Sequence, residues 1–322
     1  MKLPVLTDVL DAARTIAPYV GVTPLEYSPA LSRQTGAEVY LKLEMLRETR
    51  AFKIRGACNF MAHLSAEQRQ RGVVAASGGS HAQGVAFAAR RFGVKATIVM
   101  TERSPANLRQ ICRDYGAEVI VAGQVYEDAG ERAAAIAAAT GAVTVHSFDD
   151  PLIVAGQGTI GLEILQALPE VDAIIAPVGG GGLLGGVGLA AKSVNPAIRV
   201  IGVEPAGAAS MTAALVAGRP VRLENVGSVA DKLVTRSTGA LNLALAQKYC
   251  DEVVLVEEGA IRQAMRDLLG VANLLAEGAA ASALAALRLR TAELAGKRVA
   301  LILTGGNIDA GVLASLLGEA IG

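Results

Sequence analysis

Short apolar runs bounded by Gly, Pro, Asp or Asn alternate along the chain with longer stretches of helical period. The runs Val73–Ala76, Ala96–Met100, Glu118–Val121, Ala173–Pro177, Val200–Val203, Val253–Val256 and Val299–Leu303 predict buried strands. Between them, Gln83–Phe92, Ala106–Tyr115, Tyr126–Ala139, Thr159–Leu168, Leu183–Ser193, Ala260–Leu269 and Ala279–Leu294 predict helices. Ser104-Pro105 ahead of one helix and Glu257-Glu258 at the start of another are sensible start signals. Strand and helix in alternation predict an α/β protein whose parallel sheets are covered on both faces. No internal repeat stands out. The Ala-rich stretch from Ala276 to Ala286 reads as a packed helix, since Ala is the strongest helix former. Gly218–Asp231 has no clear period and reads as a long connection, a class of loop that is often functional.

Composition narrows the classes. The 322 residues suggest about two domains. Apolar residues make up 52% and charged residues 19%, which supplies a core and excludes disorder over most of the length. Lys plus Arg and Asp plus Glu are both 30, so no net charge points to nucleic acid or an anionic membrane. No apolar run reaches the roughly 18 residues of a spanning helix. The start, Met1 to Thr7, lacks the pattern of a secretory signal. Cys58, Cys112 and Cys250 are few, odd in number and far apart, which fits a reducing, cytoplasmic setting. His63, His81 and His146 have no metal-ligand spacing with a cysteine, so a zinc enzyme is disfavoured.

Loops that follow strands carry the candidate chemistry. Gly179-Gly180-Gly181-Gly182 joins the run ending at Val178 to the helix starting at Leu183. Unobstructed N–H groups and a helix N-terminus suit a phosphate there. The loop has neither the Walker pattern nor a clean dinucleotide spacing, and four glycines cost much backbone entropy for a mere flexible turn. Lys53 lies in the mostly apolar Ala51-Phe52-Lys53-Ile54-Arg55-Gly56-Ala57 beside a helix start. A partly buried lysine there is a usable amine nucleophile, and a snorkelling surface lysine is the plain alternative. Ser77-Gly78-Gly79-Ser80-His81 opens a helix and could hold a carboxylate, or Ser80 could simply cap the helix. Thr304-Gly305-Gly306-Asn307 follows the last strand. In open α/β sheets ligands sit beyond the carboxyl ends of the strands, where these glycine-bearing loops converge.

Taken in this order, the motifs resemble the pyridoxal-phosphate enzymes of the tryptophan-synthase-β fold type, and most closely the threonine/serine dehydratase and serine racemase family. Leu41-Lys42-Leu43-Glu44, Ala155-Gly156-Gln157-Gly158-Thr159, Gly202-Val203-Glu204-Pro205 and Glu277-Gly278-Ala279 add to the match, which runs from about Ile16 to Asn307. The resemblance implies fold type II, with two open, mostly parallel sheets and the cofactor between two domains. Residues 48–145 would form the small domain, and 1–47 with 146–322 the large one. The chain's end soon after Asn307 is expected to leave no C-terminal regulatory domain. Lys53 would bind pyridoxal 5'-phosphate as a Schiff base, with Phe52 packed by the ring. Gly179 to Gly182 would hold the phosphate, Thr304 would face the pyridine nitrogen, and Glu277 would lie near the cofactor. Ser77, Gly78, Gly79, Ser80 and His81 would bind the substrate carboxylate, with Ser80 also touching the cofactor. The implied activity is β-elimination from a small β-hydroxy amino acid such as L-threonine or L-serine, giving a 2-oxo acid and ammonia, in a homodimer or homotetramer.

The chain departs from that pattern in informative places. Ser80 stands where the family usually has an Asn that contacts the cofactor's phenolic oxygen, and reaches less far. Ala51 replaces a common Ser. Lys232 replaces a usual Gly; it would either bring a second ammonium to the cofactor or point to solvent, and the usual exposure of lysine favours solvent. Many relatives bind a divalent cation through positions matching Glu204, Ala208 and an Asp that is Ser210 here, so metal binding is expected to be weak or absent. Gly78 stands where racemases carry a second serine on the opposite face, which lowers the racemase reading. Elimination or replacement on another β-substituted amino acid, and a non-catalytic cofactor-binding relative, are the rival readings. A nucleotide-binding oxidoreductase rests on the glycine loops alone.

Overall fold

The apolar runs pair into two sheets in the computed structural model, which describes residues 2–318. The strands in chain order are β1 (Leu25–Tyr27), β2 (Glu38–Leu43), β3 (Val73–Ala76), β4 (Ala96–Met100), β5 (Glu118–Val121), β6 (Val143–Thr144), β7 (Ala173–Pro177), β8 (Arg199–Pro205), β9 (Glu252–Val256) and β10 (Arg298–Leu303). The smaller sheet has the order β5-β4-β3-β6 and the larger β1-β2-β10-β7-β8-β9. β1 and β2 are antiparallel, and the other pairings are parallel. The central strands β7 and β10 are almost wholly buried, as apolar runs covered on both faces must be.

Small residues let the covering helices come close. On one face of the larger sheet lies the Ala-rich helix Gly278–Arg288, packed among Ile175, Val203 and Leu301. The predicted Ala279–Leu294 helix breaks there, and Thr291–Leu294 forms a separate turn. On the other face, helix Gly182–Val194 packs with Ile160, Ile174 and Ile302. Helix Pro151–Ala167 begins well before the expected Thr159, because Asp150 accepts from the N–H groups of Leu152 and Ile153 and Pro151 fits the first turn. Its glycines disguise the helical period for a reason. A Cβ on Gly156 would lie 2.5 Å from Gly56 Cα in helix Ile54–Ala62, so the two backbones touch where no side chain fits.

A buried ionic cluster locks the two sheets' elements together. Arg55 is fully buried and pairs with both oxygens of two carboxylates. It donates to Glu44 at 2.7 and 2.8 Å and to Glu163 at 2.6 and 2.7 Å, with Thr159 Oγ1 at 2.9 Å. Lys42 adds bonds to Glu163 at 2.5 Å and to the Thr23 carbonyl at 2.7 Å, while Arg47 Nε lies 3.5 Å from Glu44. Burial raises the Glu44 carboxyl pKa, but the guanidinium of Arg55, joined by Arg47, overrides it and brings it down to about 2.

Because that pKa lies below its ordinary value, the stabilisation from Glu44 is complete above pH 4.5 and is lost as pH falls towards 2. Glu44→Gln is expected to cost about 3–5 kcal/mol at pH 7, since it strands buried cations. Urea unfolding should show this loss, and the gap between the two proteins should narrow as the pH is lowered below 4.5.

Candidate active site

Lys53 is placed by one hydrogen-bonded seam just before it. Residue Ala51 forms an antiparallel bridge with Gly305, and Phe52 N–H donates to the Thr304 carbonyl at 3.1 Å. This stitches the segment before Lys53 to the loop after β10. Arg50, whose left-handed φ of 55° is uncommon for a residue with a side chain, turns the chain so that its carbonyl accepts from Gly306 N–H at 3.0 Å. Lys53 then caps helix Ile54–Ala62, held by the Arg55 cluster two residues on.

The lysine amine donates to the Ser147 carbonyl at 2.8 Å. His146 shapes that turn, its Nδ1 accepting from the N–H groups of Phe148 and Asp149. Among the described residues no carboxylate partners Lys53, and burial lowers its pKa to about 8. His81 turns away from the cavity and donates from Nε2 to the Val145 carbonyl at 3.1 Å. Burial, aided by Lys53, lowers its pKa to about 3, so it is neutral near pH 7. Burial, aided by Asp231, pushes the Glu277 carboxyl up to about 8 against the pull of Lys232 and the Asn307 N–H.

One cavity is lined by Phe52, Lys53, Ser80, Gly179 to Gly182, Glu277 and Thr304, which the sequence had nominated separately. Ser77, Gly78 and Gly79 lie just before it on the loop that opens helix Ser80–Phe92. Ser80 Oγ lies 3.5 Å from Asn307 Nδ2, which also bonds the Thr49 carbonyl at 2.9 Å. Lys232 meets both expectations in part, its ammonium pairing with the exposed Asp231 while its side chain lies along the cavity. Its side chain is 23% exposed and lines this same cavity. The reason lies in the Gly218–Asp231 connection, which ends in the short turn Asp231–Leu233 against the glycine loop.

Sequence reasoning missed the groups that fasten that loop. The Gly180 carbonyl accepts from Asn242 Nδ2 at 2.8 Å and Thr238 Oγ1 at 3.1 Å, and Asn242 also bonds the Phe148 carbonyl. No local motif marks Asn242, which lies within an ordinary helix, Ala240–Tyr249. Glu204 accepts instead from the N–H groups of Met211 and Thr212 and the Thr212 hydroxyl, so it caps helix Ser210–Ala217. Ala208 is buried, and Ser210 Oγ lies 3.2 Å from Thr235 Oγ1.

The residues present fit a flat, phosphorylated ring compound. Gly181 has φ +93°, and a Cβ on Gly180 would lie 2.2 Å from the Phe148 ring, so the loop must expose bare backbone at the helix start. Thr304 Oγ1 is buried without a hydrogen-bond partner among the described residues, a cost that a ring nitrogen would relieve. The partly buried amine of Lys53 lines the same cavity, with no carboxylate partner among the described residues. Residues 16–305 match the family of pyridoxal-phosphate dependent enzymes. The chain belongs to that family. It is 48% identical to an L-threonine ammonia-lyase of Thermotoga maritima, over 98% of this chain and 79% of that one. Among solved structures, a maize serine racemase is 33% identical, with a TM-score of 0.93 over 99% of this chain and 98% of that one. The processed form of threonine deaminase isoform 2 from Solanum lycopersicum is 35% identical, with a TM-score of 0.94 over 98% of this chain and 92% of that one. The chain thus has the mixed α/β fold of these pyridoxal-phosphate enzymes, with two mostly parallel sheets.

Only a neutral amine attacks a carbonyl, so the lowered pKa would make Lys53 more ready to react with an aldehyde near neutral pH. Protein stripped of pyridoxal phosphate should regain it at a rate that rises with pH through about 8. Stopped-flow absorbance of the covalently held cofactor would check this. A midpoint near the ordinary lysine value of 10.5 would contradict the burial argument.

Proposed function

We propose that this pyridoxal-phosphate enzyme catalyses β-elimination from a small β-hydroxy amino acid such as L-threonine or L-serine, releasing a 2-oxo acid and ammonia. The observation that carries this reading is the meeting, in one cavity, of Lys53, the glycine loop and the Thr304 hydroxyl. The names of the relatives agree with it. Gly179 to Gly182 would hold the phosphate, Phe52 and Glu277 would flank the ring, and Thr304 would meet its nitrogen. Bound pyridoxal phosphate supplies the electron sink for charge left at the substrate Cα. Lys53 would be the base that takes the Cα proton. Its amine is the group in the cavity with a pKa lowered to near neutrality. The loop from Ser77 to His81 would orient the substrate carboxylate at a helix start, through N–H groups rather than the neutral His81 ring.

Elimination is favoured over racemisation by the residue at position 78, where the resemblance places a racemase's second serine. Gly78 has no side chain, and a Cβ there would lie 2.3 Å from Ser104 Oγ. Placing a proton-carrying serine at position 78 would require Ser104 to move. The reading extends to a cytoplasmic homodimer or homotetramer in which residues 48–145 form the smaller domain and 1–47 with 146–322 the larger. Support for the compartment comes from the unpaired Cys58, Cys112 and Cys250. Among the described residues, no helix is long and apolar enough to cross a membrane.

Oxo-acid release by the cofactor-loaded protein across L- and D-threonine and serine tests the activity. Release from L-threonine or L-serine is expected, with Lys53→Ala lowering kcat by about 10²–10⁴-fold. Enantiomer exchange without oxo acid, or no product from any β-hydroxy amino acid with cofactor in place, would overturn the proposal.

A further inference from the structure

Lys232 brings to the cavity a charge that this elimination does not use. Its turn folds back on the glycine loop, with its carbonyl 3.3 Å from the position a Cβ on Gly179 would take. From there its side chain crosses the loop that opens helix Ser80–Phe92. Its Cδ and Cε lie 3.5 and 3.7 Å from the position of a Cβ on Gly79. Among the described residues, the ammonium's partner is Asp231, whose own side chain is 63% exposed. Holding a long, flexible side chain along a cavity wall costs rotamer entropy, and an apolar side chain would cover Gly79 without needing a counter-ion. Leu233, on the same wall, shows that apolar side chains are accepted there. Glu277 supplies little neutralisation, because burial keeps its carboxyl protonated up to about pH 8. The side chain thus runs along the cavity, and its ammonium, which carries three N–H groups and bonds Asp231, has donor capacity to spare.

We propose that Lys232 is a specificity-determining residue that binds a second carboxylate on the substrate, so that the site prefers β-hydroxy amino acids with an acidic side chain, of the 3-hydroxyaspartate kind. The proposal rests on the β-elimination reading of the same site and names its substrate class. The helix start beside Gly79 is where that reading places the α-carboxylate. A lysine lying across Gly79 is then within one short side chain of it. A charge-assisted bond of this kind is worth about tenfold to a hundredfold in affinity.

The cofactor-loaded protein should show a higher kcat/KM for L-threo-3-hydroxyaspartate than for L-serine. It should also bind malonate, an unreactive dicarboxylate, in a calorimeter. Lys232→Met should weaken malonate binding tenfold or more and lower the ratio of the two kcat/KM values by a similar factor. Lys232→Arg should restore most of both. Absence of malonate binding, equal malonate affinity in Lys232→Met, or a natural preference for L-serine would overturn the proposal. Turnover of L-serine without lysine-dependent malonate binding defeats this inference and leaves the elimination reading standing. Lysine-dependent malonate binding without oxo acid from any substrate defeats the elimination reading alone.

Discussion

Arg55 is the interaction on which the site's geometry depends. It sits two residues beyond Lys53 and is fully buried, so it cannot go without anions. Its two carboxylates come from different parts of the chain, Glu44 after β2 and Glu163 from helix Pro151–Ala167. The planar guanidinium satisfies both in a fork geometry that a lysine could not copy. The larger sheet, through β2 and the turn after it, and helix Pro151–Ala167 are thereby held in register at the first turn of the lysine helix. The close approach of Gly56 to Gly156 works in the same place, because Arg55 can reach Glu163 only when the two helices are nearly in backbone contact. Such a cluster is weak evidence for stability and better evidence for positional definition.

The same burial that requires pairing around Arg55 leaves the neighbouring cavity unpaired. Lys53 has a carbonyl partner and no anion, so desolvation lowers its pKa without opposition. His81 cannot add a second positive charge beside it and stays neutral. Glu277 responds to burial in the opposite sense, as an acid must, and is held by the Asn307 N–H at 3.0 Å. Two adjoining regions thus use one physical effect differently. Where carboxylates meet guanidinium groups, charge is fixed. Where counter-ions are absent, groups are brought near neutrality and become chemically useful.

Much of this was legible in the residues. The strands β3, β4, β5 and β7 carry the predicted limits; β3, β4 and β7 are buried and read as uninterrupted apolar runs, whereas β5 is an edge strand with no buried residue. β1, β2 and β6 were not found. β2 reads Glu-Val-Tyr-Leu-Lys-Leu, and its Lys42 looks solvent-facing until Glu163 is known to meet it. β6 is two residues long and carries too little pattern. Helices Leu6–Ile16, Ala66–Arg71 and Ala240–Tyr249 were also passed over, the last because it lacks a single apolar face. The loops of the site were conspicuous through glycine. Their fasteners, Thr238 and Asn242, were not, since a hydrogen bond across 62 residues leaves no local trace.

Lys42, Lys53 and Lys232 show why residue type alone does not assign a role. Lys42 is buried and meets Glu163 and the Thr23 carbonyl, so its charge is committed to holding the fold. Lys53 is only partly buried, and its amine meets the Ser147 carbonyl rather than a carboxylate among the described residues. Lys232 lies between these cases, with its stem against the wall beside Gly79 and its counter-ion largely in water. What separates them is the number of anions each can reach and how dry those anions are. Glu163 is reachable by Lys42 because β2 and helix Pro151–Ala167 are locked by Arg55, whereas no acidic side chain is directed at Lys53 through the Ser147 turn. Glu44 and Glu163 are thus committed to Arg55, Arg47 and Lys42, while the Lys53 amine, two residues from Arg55 in the chain, meets a carbonyl.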